Sequence, residues 1–137
     1  MGYLGAVSTV SPDVMEYLEH GFACWNQRAI DEMMDMYTSD AEVDVSRLLP
    51  DEHILRGRDQ IRAYYERMWE TWSGFTWKPC EMIDLGEGRY AVHVRLDAEG
   101  RGSGTPVTSE LTIFYRLVDG LVARAAFEPG RSAQLQG

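Results

Sequence analysis

Hydrophobic and polar residues alternate along three consecutive stretches near the C-terminal end of the chain, residues 89–97, 107–117 and 121–128. Alternation with a period of two predicts β-strands that each present one apolar face. The glycine-rich residues 100–104 and the Asp-Gly step at 119–120 separate these stretches, which predicts two hairpins and therefore an antiparallel meander. A sheet with one apolar face requires a cover, and the helical patterns upstream supply it.

The alternation assigns each residue of the first stretch to a face of this sheet. One face is apolar and carries Tyr90, Val92, Val94 and Leu96. The other face is polar and carries His93, Arg95 and Asp97. Opposite charges on such a face pair across strands, so the polar face is expected to meet solvent or a second subunit.

Helical spacing of apolar residues dominates the first half of the chain. The Ser-Pro-Asp sequence at residues 11–13 predicts a helix start, because serine caps, proline suits the first helical position and aspartate complements the positive helix end. This helix should end near Asn26, and a shorter second helix should span residues 30–37. A third helix is predicted over residues 59–72, where the apolar stripe is clearest. The residues of that stripe are Ile61, Tyr64, Tyr65, Met68, Trp69 and Trp72.

The remaining patterns complete the order of elements. A short strand is predicted at residues 41–45, a loop at 47–56 and a further strand at 75–85, which Pro79 marks as an edge strand. This order predicts an α+β cone in which three N-terminal helices pack on a strongly curved, mostly antiparallel sheet. The open end of such a cone is a natural small-molecule pocket.

Length and composition favour one domain. The chain has 137 residues, 45% of them hydrophobic, which is enough for a full core. We expect a flexible arm at residues 1–10, a single domain at 11–130 and a polar tail at 131–137. The net charge of −9 argues against nucleic acid or an anionic membrane as a partner. A cytoplasmic protein is predicted, because the chain shows neither a signal-peptide pattern nor the ~20 apolar residues of a membrane span.

The two cysteines, Cys24 and Cys80, are expected to be buried apolar residues rather than a disulfide or a nucleophile. The chain contains no CxxC motif and no histidine cluster along the sequence, so no metal site is predicted. The glycines at 100–104 precede no helix and therefore do not form a phosphate-binding loop. The sequence thus predicts no cofactor.

Several motifs carry a family resemblance. The stretch 25–43 leads from two helices through Tyr37, Asp40 and Ala41 into a strand, and residues 56–61 form a glycine-led start of the third helix. Both resemble the nuclear transport factor 2-like superfamily, and the hairpin turns resemble its SnoaL-like branch, named for a polyketide cyclase. The resemblance implies the cone fold and a homodimer. It leaves activity open, because one fold hosts many functions.

A mechanism of the ketosteroid isomerase type needs a carboxylate base on the first strand and two hydrogen-bond donors for an oxyanion. The resemblance places that base at or beside Val45, next to Asp44. The donors would fall at about Gly21 and near Ile113, and neither side chain can donate. This mechanism is therefore disfavoured.

A mechanism of the limonene epoxide hydrolase type needs an Arg-x-Asp element on one strand and a second carboxylate on the last strand. Arg95 and Asp97 resemble the first element. The second carboxylate would fall at about Phe127. Glu128 is one place along, so its side chain would point to the opposite face of the strand. A third option, implied by SnoaL-like cyclases, is one carboxylate in an apolar cone, and Asp44, Asp97 or Glu128 could supply it.

These considerations give two hypotheses. The first is a binding protein or small enzyme for an apolar oxygenated metabolite of the polyketide, steroid or terpenoid type, with Arg95, Asp97 and Asp44 as candidates for cofactor-free acid/base chemistry of an isomerase, cyclase, dehydratase or epoxide hydrolase. The second is a non-catalytic ligand-binding or dimerisation module whose cone is filled by its own aromatic residues. The residues expected to contact a ligand are Tyr17, Trp25, Tyr37, Tyr65, Trp69, Trp72, Trp77, His93, Tyr115, Phe127 and Glu128.

Overall fold

In the part of the chain that the structure describes, three helices form one layer on a six-stranded sheet. The computed structural model describes residues 10–48 and 53–132. The elements in chain order are α1 (Pro12–Gln27), α2 (Ile30–Met34), β1 (Tyr37–Asp44), β2 (Ile54–Arg56), α3 (Gly57–Thr71), β3 (Trp72–Gly86), β4 (Arg89–Gly100), β5 (Pro106–Val118) and β6 (Leu121–Pro129). The strand order across the sheet is β2-β1-β6-β5-β4-β3. Only β1 and β6 run parallel; the other neighbours are antiparallel, as the hairpin turns predict.

The first helix begins as the sequence predicts. The Ser11 side chain accepts a hydrogen bond from the Val14 backbone N–H, and Pro12 is the first helical residue. The second helix is shorter than expected: it ends at Met34, whereas the sequence predicts an end at residue 37. Tyr37 already belongs to β1, where it lies opposite Val122 of β6.

The first strand therefore begins earlier than the alternation at residues 41–45 indicates. Its register against β6 shifts between Tyr37 and Glu42, and this irregularity hides the start of the strand from a period-two pattern. The short strand β2 lies within the stretch predicted as a loop and pairs with β1 at Val43 and Leu55. Three residues are too few to show alternation. The prediction that Pro79 marks an edge strand is confirmed, since β3 lies at one end of the sheet and its register shifts after Pro79.

The core lies between the helices and the inner face of the sheet. Its fully buried members include Val92 and Val94 of β4 and Ile113 of β5. From the helices, Leu18 and Ile61 pack against them, each at most 2% exposed. Removing a side chain of this kind typically costs about 2–5 kcal/mol, so these positions fix how the helices sit on the sheet.

Residues 130–132 lie across the outer face of the sheet. The Gly130 backbone N–H donates to the Glu110 carbonyl oxygen, and the Thr112 hydroxyl donates to the Gly130 carbonyl oxygen. Arg131 forms an ion pair with Glu81 through two nitrogen–oxygen contacts. Residues 131 and 132 therefore lie against the sheet, whereas residues 133–137 of the predicted tail are outside the described residues. Residues 1–9 of the predicted arm are also outside them, and Val10 is buried.

Candidate ligand cavity

Two cavities lie between the helices and the inner face of the sheet. The large cavity has a volume of about 260 Å³ and the small cavity about 40 Å³. Most residues around the large cavity are aromatic or aliphatic. Its aromatic wall consists of Trp25, Tyr64, Tyr65, Trp72, Phe75, Trp77 and Phe127. The predicted aromatic lining is therefore present in this region of the fold.

Trp25 lines both cavities, as do Tyr65, Trp77 and Phe127, and it is held firmly in place. Its ring centroid lies 4.9–5.9 Å from those of Tyr65, Trp69, Phe75 and Trp77. These are the separations at which aromatic rings attract one another. The indole N–H donates to the Phe75 carbonyl oxygen at 3.2 Å, so the one polar atom of the ring is satisfied. This aromatic cluster therefore forms a wall that the two cavities share.

A pair of buried tyrosines provides the main polar feature of the cavities. The hydroxyls of Tyr37 and Tyr65 lie 2.9 Å apart, and Tyr65 lines both cavities. Burial raises the pKa of Tyr37 to about 12 and that of Tyr65 well above its usual range, so both remain neutral hydroxyls at physiological pH. Two hydroxyls carry two hydrogens, and their mutual bond uses one. No other residue in the described ranges accepts the second hydrogen, so the pair can donate it to a ligand oxygen.

Two further tyrosines lie near this pair. Tyr115 lines the small cavity, and burial raises the pKa of its hydroxyl well above the usual range. Tyr17 donates to the Met36 carbonyl oxygen at 2.6 Å and lines neither cavity. Tyr115 therefore adds a third neutral hydroxyl to the small cavity, beside those of Tyr37 and Tyr65, whereas Tyr17 joins α1 to the turn before β1.

Seven of the residues expected to contact a ligand line a cavity, namely Trp25, Tyr37, Tyr65, Trp72, Trp77, Tyr115 and Phe127. Trp69 is instead buried beside Trp25, and its indole nitrogen has no hydrogen-bond partner among residues 10–48 and 53–132. Sequence reasoning missed Ser109 and Tyr64, which line the large cavity. Ser109 could have been found, because it shares the alternation of Val107 and Leu111.

His93 lies on the opposite side of the sheet from the cavities. Its Nε2 atom is 2.6 Å from Glu110, and its Nδ1 atom is 3.4 Å from Glu81 without hydrogen-bond geometry. Arg131 binds the same Glu81 carboxylate, so the segment at residues 130–132 covers the imidazole from outside. The expectation that His93 lines the cone does not hold: it is buried, but on the outer face.

Arg95 and Asp97 also lie on the outer face, with about half of each side chain exposed. The Arg95 Nε atom is 3.4 Å from an Asp97 carboxylate oxygen, and Thr108 donates to the same carboxylate. Leu96 and Ala98 line the large cavity. Because side chains alternate along a strand, Arg95 and Asp97 point to the opposite face. Neither Arg95 nor Asp97 lines a cavity, so neither side chain is placed to act on a ligand bound there.

Asp44 lies on the outer face as part of a charged cluster. Arg89, Arg116 and Arg124 lie opposite one another on β4, β5 and β6, and we call them the arginine row. Arg124 contacts Asp44 at 3.1 Å and Glu42 at 2.7 Å. The pKa of Asp44 is lowered, chiefly by its hydrogen bonds from the neighbouring serine hydroxyl and also by Arg124. Asp44 is therefore a stable anion and not a base poised near neutrality.

Glu128 completes the set of predicted acidic residues. It lies on β6 with the same alternation as Arg124 and forms an ion pair with Arg47 at 3.7 Å. Within the two described ranges, no carboxylate lines either cavity. The polar groups that do so are the hydroxyls of tyrosine and serine, with the indoles of the aromatic wall. These groups can donate hydrogen bonds, but at neutral pH none is a strong base.

The two cysteines differ in environment, and neither forms a disulfide. Cys24 is buried, as predicted, and burial together with Glu32 raises the pKa of its thiol. A protonated thiol is a poor nucleophile. Cys80 is exposed, so its predicted burial is wrong. It follows Pro79 at the point where the register of the edge strand shifts, and strand alternation fails there.

The family of the chain follows from comparison with known sequences. The model of the SnoaL-like domain matches residues 18–125. The chain belongs to the SnoaL-like domain family. No curated protein sequence matches this SnoaL-like chain. None of the helices in the described part of the chain combines the length and the hydrophobicity of a membrane-spanning segment.

Solved structures share the fold at low sequence identity. A protein from Catenulispora acidiphila with a ketosteroid isomerase-like fold, in complex with trimethylamine, is 12% identical with a TM-score of 0.76, and the match covers 93% of this chain and 92% of that one. TerC, co-crystallised with polyporic acid, is 18% identical with a TM-score of 0.74, covering 88% and 92%. The epoxide hydrolase/cyclase-like enzyme SalBIII, described for pyran ring formation in the polyether salinomycin, is 17% identical with a TM-score of 0.72, covering 85% and 89%. These likenesses show the α+β nuclear transport factor 2-like fold.

Proposed function

We propose that the large cavity binds a small apolar molecule that carries a carbonyl or phenolic oxygen, and that the Tyr37–Tyr65 pair donates a hydrogen bond to that oxygen. The observation that carries the proposal is the buried Tyr65 hydroxyl, which lines a mostly apolar cavity and is hydrogen-bonded to that of Tyr37. A few placed polar groups in an apolar cleft are the usual composition of a small-molecule site. Structural relatives crystallised with trimethylamine and polyporic acid support small ligands as the class.

The size of the cavity restricts the ligand. A volume of about 260 Å³ lies just below the roughly 300–1,000 Å³ of sites for drug-sized molecules. We therefore infer a compact ligand of one or two rings, such as a small aromatic polyketide or a terpenoid, in preference to a steroid. The aromatic wall supplies stacking and edge contacts for such rings.

The cavity chemistry favours binding over acid/base catalysis. Hydroxyl donors such as those of Tyr65 and Tyr115 stabilise an oxyanion, but they do not remove a proton near neutral pH. Isomerase, cyclase, dehydratase or epoxide hydrolase activity would need a base in addition to the groups that line the cavities. Turnover would then depend on a base supplied by the ligand or by water.

A second candidate function, a non-catalytic module with a self-filled core, is favoured by one observation. Trp25 and its four aromatic neighbours occupy the centre of the cone, where a larger ligand would otherwise lie. In that case the remaining cavities would be packing defects, and no ligand would stabilise the protein.

The test combines ligand binding with two matched substitutions. One- and two-ring ketones, phenols and quinones would be screened by thermal shift and tryptophan fluorescence, each beside a hydrocarbon of the same shape. Losing a hydrogen bond worth about 0.5–1.5 kcal/mol weakens binding roughly 2- to 13-fold. Tyr65→Phe should therefore weaken binding of the oxygenated ligand by that factor and leave the affinity for the hydrocarbon unchanged.

The control is Tyr90→Phe, because Tyr90 packs against the core without lining either cavity. Ala98→Phe, which places a ring in the large cavity, should abolish binding of both compounds. A panel without any hit would favour the self-filled module. Equal affinity of the native chain and Tyr65→Phe for the oxygenated ligand would refute the donor role but leave the cavity.

We also propose a homodimer, supported by the family resemblance and by an outer face that carries both signs of charge. Light scattering at tens of micromolar should give twice the monomer mass of 15.6 kDa. A mass near that of the monomer would contradict the proposed dimer.

A further inference from the structure

A histidine, a cysteine and a glutamate meet where α1 and α2 come together. The ligand atoms of His20, Cys24 and Glu32 all lie within 4.8 Å of one another. His20 Nε2 is 3.5 Å from the Cys24 sulfur and 2.8 Å from a Glu32 carboxylate oxygen. None of the three lines the large or the small cavity, so this cluster is separate from the proposed ligand site. We propose that these three side chains bind a zinc ion.

The distances suit tetrahedral zinc. Zn–N, Zn–O and Zn–S bonds of about 2.0–2.3 Å place a tetrahedral nitrogen–sulfur pair about 3.6 Å apart and a nitrogen–oxygen pair about 3.4 Å apart. The observed nitrogen–sulfur distance of 3.5 Å already matches. The nitrogen–oxygen distance of 2.8 Å has to widen by about 0.6 Å. Both of those side chains are about half exposed, so they have room to make this change.

The backbone holds the three ligands on rigid elements. His20 and Cys24 are four residues apart on α1 and so share one face of the helix. Arg28 takes a left-handed conformation after α1, and the Ala29 N–H bonds the Cys24 carbonyl oxygen. This fixed turn brings α2, and with it Glu32, beside that face. Sites built on helices are more precise than sites built on loops.

The local charge is also favourable. A thiolate and a carboxylate together neutralise the two charges of zinc, and a histidine nitrogen is a preferred third ligand. Asp13 and Glu16 line the same surface recess as His20 and add negative potential there. Three protein ligands leave a fourth position for water. The sequence alone predicts no metal, because the third ligand comes from the next helix and not from a CxxC or histidine spacing.

The consequence is a metal link between α1 and α2. Zinc bound only by the folded chain stabilises it by mass action, so the melting temperature should rise by several degrees at saturating zinc. The same link would restrain Met36 and Gly21 at the end of the small cavity.

The test uses the full reduced chain, freed of metal with a chelator and titrated with zinc and then with cobalt. Cobalt should give the intense visible bands of a tetrahedral site and a thiolate-to-cobalt charge-transfer band in the near ultraviolet. Cys24→Ser should remove the charge-transfer band, whereas Cys80→Ser, at the exposed cysteine, should leave it unchanged.

His20→Gln and Glu32→Gln keep size and remove one ligand each at exposed positions, so both variants should fold. Each should weaken zinc binding by more than about 100-fold, beyond the 10- to 100-fold loss typical of an outer-shell group. Zinc affinity that is the same in the native chain and in all three ligand variants would overturn the proposal. So would a charge-transfer band that disappears in Cys80→Ser but persists in Cys24→Ser. Neither result would bear on the ligand cavity.

Discussion

The side chain of Asn26 closes part of the open edge of the sheet, and its removal gives a well-defined prediction. Its amide nitrogen donates to the Trp77 carbonyl oxygen at 3.0 Å, and its amide oxygen accepts from the Trp77 N–H at 2.8 Å. These two bonds imitate the pairing of a further strand beside β3, which is an edge strand. Asn26→Ala removes both bonds and leaves two backbone groups of Trp77 to water.

The magnitude follows from these contacts. Each hydrogen bond contributes about 0.5–1.5 kcal/mol net, so the pair contributes roughly 1–3 kcal/mol. Asn26 is exposed, so water can reach the freed groups, and the full desolvation penalty does not apply. Alanine also has a better helix propensity than asparagine by up to about 0.7 kcal/mol. We therefore expect Asn26→Ala to lower the free energy of unfolding by about 0.3–2.3 kcal/mol.

Urea unfolding followed by tryptophan fluorescence measures this change through the midpoint at an unchanged slope. The control is Gln27→Ala, which removes an exposed amide from the next position of the same helix and should be neutral or slightly stabilising. Hydrogen exchange at the Trp77 amide should also accelerate in Asn26→Ala. Equal midpoints for the two alanine variants would show that the edge pairing contributes nothing.

Three other predictions concern stability. Burial raises the pKa of Tyr37 to about 12 in the folded chain, against about 10 in the unfolded chain. The free energy of unfolding should therefore be unaffected by this group below pH 10 and fall by about 3 kcal/mol as the pH rises from 10 to 12. Urea unfolding at several pH values should show a smaller alkaline loss for Tyr37→Phe than for the native chain. Arg116→Glu replaces like-charge repulsion in the arginine row by attraction and should raise the free energy of unfolding by about 0.2–1 kcal/mol at low salt. This gain should disappear in 1 M salt, and a gain that persists there would show that repulsion is not its cause. Gly88→Ala should destabilise by about 1–3 kcal/mol more than Gly102→Ala, because both have positive φ but only Gly88 would place a Cβ 2.8 Å from the Leu117 carbonyl oxygen; equal thermal midpoints for the two variants would contradict this.

The fold could be predicted from the sequence where periodic patterns are long. The α1 cap at Ser11 and the meander of β4, β5 and β6 follow from local spacing and turn chemistry. The start of β1 at Tyr37 could not be predicted, because it depends on pairing with a strand at the other end of the chain. Likewise β2 exists only because β1 offers it a free edge.

The candidate site shows two sources of inference in conflict. Alternation placed Arg95 and Asp97 on the polar face, whereas the family resemblance placed them in the site; the structure agrees with alternation. Seven of the eleven residues expected to contact a ligand line a cavity, because large apolar side chains on inward faces have to enter the cone. The Tyr37–Tyr65 pair could not be predicted as a pair, since 28 residues separate its members and only the packing of α3 on β1 brings them together.

The parallel pairing of β1 with β6 has a consequence for the order of folding during synthesis. Residues 72–129 contain a meander whose hairpins pair neighbours in sequence, but β1 must wait for a partner that emerges from the ribosome about 80 residues later, as the Glu42–Arg124 contact shows. Long-range pairing of this kind is slow, because a long loop has to close first. We therefore predict that pulsed hydrogen exchange during refolding protects the amides of β4 and β5 before those of β1. Simultaneous protection would refute this order. Until β6 arrives, the edge of β1 that pairs with it stays open, so unpaired strand backbone is exposed on the nascent chain.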